Sequence, residues 1–128
     1  MSESNYILVV EDNDFVRMQI VSYLKGAEFE TIEASEGNAA LDLMATNDNI
    51  ELAIVDIRME PMGGFEFIKA IRGQNIGTPV VLVTGDQTPD ILERAGKWGV
   101  GAVLMKPVQK DRLLKVVTKT LEGSKRLA

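Results

Sequence analysis

The sequence predicts an α/β fold: one parallel sheet of five strands in the order 2-1-3-4-5, doubly wound, with helices on both faces. Two observations carry this. Four short runs of Val, Ile and Leu lack alternation, the pattern of strands buried on both faces. Segments with apolar residues one helical turn apart separate these runs, so strand and helix alternate five times. Right-handed crossovers then give a parallel sheet clad on both sides. At 128 residues the chain suits one domain with one core region, about 6–122.

The elements follow in order. "YILVV" (6–10) is the first strand, and Val16, Ile20 and Tyr23/Leu24 mark the first helix. "FETIEA" (29–34) mixes charge with apolar residues and reads as an edge strand. A second helix, roughly Gly37 to Ala45, carries Ala40, Leu41 and Met44. "LAIV" (52–55) is the third strand; Phe65, Ile68 and Ile71/Arg72 mark the third helix, which "GQNIGTP" (73–79) ends. "PVVLV" (79–83) is the fourth strand. In "TPD" (88–90) Thr88 caps and Pro89 suits the first turn of a helix bearing Ile91, Ala95 and Trp98. Gly99 to Gly101 is read as a turn and "AVLM" (102–105) as the fifth strand. Leu113, Val117 and Leu121 define the last helix, and 123–128 reads as a frayed tail. Met59, Met62 and Met105 are read as packing residues.

Composition excludes several chemistries. There is no cysteine and no histidine, so thiol chemistry, the commonest general base and the commonest zinc ligand are missing. A formal net charge of -5 argues against broad nucleic-acid binding. "MSESNYILVV" lacks the pattern of a signal peptide, and no apolar run approaches the roughly 18 residues of a membrane span.

In open sheets of this kind ligands sit beyond the carboxyl ends of the strands, where strand order reverses. With the flavodoxin-like order, four polar endings fall on neighbouring strands: Glu11-Asp12 after the first, Asp56 after the third, Thr84 after the fourth and Lys106-Pro107 after the fifth. Adjacent carboxylates repel unless a cation joins them. Without histidine or cysteine, magnesium is the natural occupant of such an oxygen-rich site. A phosphoryl group would account for Thr84 and Lys106, and Asp56 is the best candidate to carry it. Each residue taken alone has a plainer reading: Glu11, Asp12 and Asp14 as helix-capping acids, Asp56 as a loop cap, Thr84 as structural and Lys106 as a solvated turn. The argument rests on their falling on one edge.

These residues lie in "VVEDNDFVR" (9–17), "EGNAAL" (36–41), "VDIRMEPMGGFEF" (55–67), "VLVTGD" (81–86) and "VLMKP" (103–107). As a set the motifs resemble the receiver domain of bacterial two-component response regulators, over about Tyr6 to Leu121. The resemblance implies that Asp56 is the phosphoacceptor and that Asp12 binds Mg2+ directly. It implies that Glu11 acts through water and that the Arg58 backbone carbonyl adds a ligand. Thr84 would hydrogen-bond the phosphoryl group, Lys106 would pair with one of its oxygens, and Lys106-Pro107 would be a cis peptide. The donor would be a sensor histidine kinase or a histidine phosphotransfer protein. The output would go to a downstream protein or an attached effector domain, with a phosphorylation-linked dimer among the outcomes. Such a domain is cytoplasmic, is not an enzyme in the usual sense, and touches neither membrane nor nucleic acid itself. Arg58 and Asp86, two residues after Asp56 and Thr84, are read as modulators of phosphoryl lifetime.

Two departures stand out. Val103 occupies the position where the family often has Tyr or Phe, and the loop Met59-Glu60-Pro61-Met62-Gly63-Gly64 shifts the usual proline and replaces an aspartate by Gly63. A flavin- or nucleotide-binding module on the same architecture would want glycine and hydroxyl residues after the first strand, where this chain has acids. A receiver acting only as a protein-binding scaffold would fail to bind Mg2+.

Overall fold

The computed structural model describes residues 5–85 and 89–127, with side chains through 123. Strands and helices alternate in the order β1 (Tyr6–Val10), α1 (Asp14–Gly26), β2 (Glu30–Ala34), α2 (Gly37–Thr46), β3 (Ile50–Asp56), α3 (Gly64–Gly73), β4 (Val80–Thr84), α4 (Pro89–Lys97), β5 (Ala102–Met105) and α5 (Lys110–Leu127). All four strand pairings are parallel, and the sheet order is β2-β1-β3-β4-β5. The order reverses between β1 and β3, so the carboxyl ends of these central strands border the crevice where this fold binds ligands.

Period-2 geometry divides the strands between two cores. Leu8, Val10, Ala53, Val55, Val80 and Leu82 point to one face and pack with Phe65, Phe67, Ile68 and Ile71 of α3 and with Ala40 and Met44 of α2. Ile7, Val9, Leu52, Ile54, Val81 and Val83 point to the other, against Ile20 and Leu24 of α1 and Leu113 and Val117 of α5. The three inner strands have helices on both sides, which is why their sequences run apolar without alternation. The edge strand β2 is only partly buried along Glu30–Glu33.

Several boundaries differ from the sequence reading. β3 starts at Ile50, two residues before its apolar run, because the β1 pairing slips between Tyr6 and Ile7 and takes in one extra residue. Asn13, not Asp14, caps α1: its side chain accepts from Val16 N at 3.0 Å. Trp98 lies one residue past α4 yet still packs on the α3-side core. α5 stays helical through Leu127, past the limit of its apolar stripe, since Lys, Arg and Glu propagate a helix without needing burial. Met59 is buried and Met62 packs against the core, but Met105, the last residue of an edge strand, is exposed. Thr88 lies outside the described residues.

Candidate functional site

The polar endings converge. Glu11 and Asp12 follow β1, Asp56 closes β3, Thr84 closes β4, and Lys106 follows β5. Tight backbone ties fix these ends: Ile57 N donates to Val83 O at 3.1 Å and Lys106 N to Thr84 O at 2.8 Å. Carboxylate oxygens of Glu11, Asp12 and Asp56 come within 4.8 Å of one another. Glu11 (1% exposed), Asp56 (4%) and Thr84 (1%) are the buried polar side chains among the described residues, whereas Asp12 faces solvent.

Lys106 bridges the acids. Its Nζ lies 2.9 Å from Glu11 Oε1 and 3.3 Å from Asp56 Oδ1. The closer contact pairs the buried Oε1 of Glu11 with the ammonium. Burial pushes the Lys106 ammonium down, but Glu11 and Asp56 more than offset it and hold its pKa above the ordinary value. Asp12 is held above the usual carboxylate range by partial desolvation and then by its neighbour Glu11. One ammonium thus faces three acids. This hard, all-oxygen donor set fits Mg2+ rather than a softer metal.

The peptide after β1 is firmly anchored. Glu11 N donates to Ala34 O at 3.1 Å, and Asn13 N donates to Glu11 Oε2 at 3.1 Å. Arg17 Nη1 donates to the Glu11 carbonyl at 2.8 Å, an anchor the sequence reading overlooked. Its signal was a basic residue three positions after Asp14 on the first helix. On the other side of the site, Gly64 lets α3 abut the end of β3: a Cβ there would sit 2.5 Å from the Asp56 carbonyl oxygen. Gly64 N donates to Ile57 O at 2.9 Å, and Glu66 caps α3 through Gly63 N at 3.2 Å. Lys106-Pro107 is cis, as the resemblance implies, and Glu60-Pro61 is cis as well. Val103 packs against the α3-side core, Arg58 is exposed, and Asp86 lies outside the described residues.

The profile of the response regulator receiver domain matches residues 7–118. The chain belongs to this family. As a receiver domain it is 32% identical over 122 residues to the regulatory protein AtoC of Escherichia coli, covering 95% of this chain and 26% of that protein. It is 31% identical over 117 residues to a cyclic di-GMP phosphodiesterase of Thermotoga maritima, covering 91% of this chain and 31% of that protein. The chain therefore spans less than a third of either relative's length. The chemotaxis protein CheY4 of Vibrio cholerae superposes with a TM-score of 0.85 at 28% identity, covering 92% of this chain and 99% of that one. Receiver domains are signalling modules of two-component systems. Among the described residues no helix is long and apolar enough to cross a membrane.

Proposed function

We propose that this receiver domain accepts a phosphoryl group on Asp56 from a phosphohistidine of a sensor kinase or histidine phosphotransfer protein, and thereby switches a protein-binding surface. The observation that carries the reading is the approach of Lys106 Nζ to Asp56 Oδ1, 3.3 Å, beside two further acids at the carboxyl edge of the sheet. An Asp56 carboxylate oxygen attacks phosphorus, the P–N bond to imidazole breaks, and the imidazole leaves with a proton from solvent. The product is an aspartyl phosphate. Such transfer asks for in-line approach and charge neutralisation rather than covalent help. Lys106 pairs with a phosphoryl oxygen, and Thr84 donates a hydroxyl hydrogen bond. Asp12, Asp56, the Arg58 carbonyl and, through water, Glu11 would hold Mg2+, which would supply the remaining positive charge.

The domain is not a turnover enzyme: the phosphoryl group leaves only by slow hydrolysis. It acts in the cytoplasm, on a downstream protein or an attached effector domain, without touching nucleic acid or membrane. Intact-mass measurement after acetyl phosphate plus Mg2+ tests the reading. Wild type gains one phosphoryl adduct and Asp56→Asn gains none; an unchanged adduct in the variant refutes the assignment.

A further inference from the structure

We propose that Arg17 is a positioning residue for the divalent-cation site. Its guanidinium fixes the Glu11–Asp12 peptide and so aims two of the three carboxylates. The inference rests on the metal-site reading above. All three guanidinium nitrogens are committed: Nη1 to the Glu11 carbonyl at 2.8 Å, Nη2 to Asp14 at 2.7 Å and Nε to Glu33 at 3.1 Å. One side chain thus ties the turn after β1, the first turn of α1 and the edge strand β2. It reaches this position largely covered, with 16% of the side chain exposed, while Asp14 and Glu33 remain open to water at 79% and 45%.

Exposed carboxylates of that kind contribute little to stability as ion pairs. The partly buried bond to the carbonyl is charge-assisted and satisfies a backbone acceptor just past the end of β1. Its consequence falls on Asp12. That side chain faces solvent, so the orientation of its peptide, which begins at the Glu11 carbonyl, sets where its oxygens lie. A planar three-pronged fork suits this task and an ammonium does not.

The sign of the effect separates positioning from plain electrostatics. A cation that merely sat near the acids would repel Mg2+, and removing it would tighten binding. A positioning role predicts weaker binding. Calorimetric titration of the full chain with MgCl2, alongside circular dichroism melts, reads this directly. Arg17→Met and Arg17→Lys are each expected to raise the Mg2+ Kd roughly tenfold. Glu33→Gln, which leaves the carbonyl bond in place, is expected to bind as wild type does. Unchanged or tighter binding in Arg17→Lys, which keeps the charge and loses the fork, overturns the proposal even if Arg17→Met fails to fold. Wild type that binds no Mg2+ overturns the metal-site reading and this proposal with it, a result distinct from a variant that matches a binding wild type.

Discussion

Lys106 Nζ stands 3.3 Å from Asp56 Oδ1 although the two residues come from strands separated by β4. The ammonium therefore reaches across the neighbouring strand's end to the acid on the central one. This arrangement opposes two effects. In the proposed function the charge would stabilise a phosphoryl group growing on Asp56, and it would compete with a divalent cation for the same acids. Lys106→Met is expected to slow acetyl phosphate labelling by about 100-fold, the scale of losing one preorganised donor. The same variant is expected to bind Mg2+ more tightly than wild type. Labelling kinetics by mass spectrometry and Mg2+ titration check the two halves.

Asp56 is a liability to the metal-free fold. Glu11, Asp12 and Asp56 crowd within 4.8 Å, with Lys106 the one cation in ion-pair contact with Glu11 and Asp56 among the described residues. Like charges so placed destabilise the native state. Asp56→Asn is expected to raise metal-free stability by about 1 kcal/mol, roughly 4 °C in Tm for a domain of this size. Wild type is expected to gain about 2.7 kcal/mol at a Mg2+ concentration 100 times Kd, reversed by EDTA. The variant is expected to lose most of that gain. Thermal melts with and without MgCl2 decide it.

The sheet was legible because its inner strands are covered twice: Leu8, Ile54 and Val81 have no polar neighbours along the strand to interrupt the run. Strand order and the list of strand endings then sufficed to assemble Glu11, Asp56, Thr84 and Lys106. What escaped was context at longer range. Arg17 reads in sequence as an ordinary surface residue of a helix, and only the fold brings it back to the Glu11 carbonyl and across to Glu33 of β2. Gly64 reads as a loop glycine until the Asp56 carbonyl is seen against it. Met105 looked like core because it closes an apolar run, but it is the last residue of the outer strand β5 and its side chain is left open. The helical continuation past Leu121 was hidden because Glu, Lys and Arg favour a helix intrinsically and leave no apolar signature.

Arg58 follows Asp56 by two residues and is exposed at the rim of the site. In the proposed function an exposed guanidinium there would screen the phosphoryl group from attacking water. Arg58→Ala is expected to lower the hydrolysis barrier by about 1 kcal/mol, roughly fivefold in rate. Following the decay of the adduct after acetyl phosphate is removed measures this. A rate identical to wild type sinks the role.

Gly64 and Gly96 make a matched pair. A Cβ on Gly64 would meet the Asp56 carbonyl oxygen at 2.5 Å and Ile57 Cα at 3.0 Å, both backbone atoms that no rotamer change can move. Either α3 retreats or the end of β3 bends, and the second displaces the Asp56 carboxylate from Lys106. Gly64→Ala is therefore expected to cost about 2 kcal/mol, within the range for forced overpacking, and to slow phosphorylation as well. Gly96 sits inside α4 with nothing within 4 Å of its would-be Cβ. There the same substitution removes only the entropic penalty of a helical glycine, and Gly96→Ala is expected to add up to about 1 kcal/mol. Paired urea melts and labelling assays distinguish the cases. Equal effects of the two substitutions would mean that the close approach of α3 to Asp56 does not shape the site.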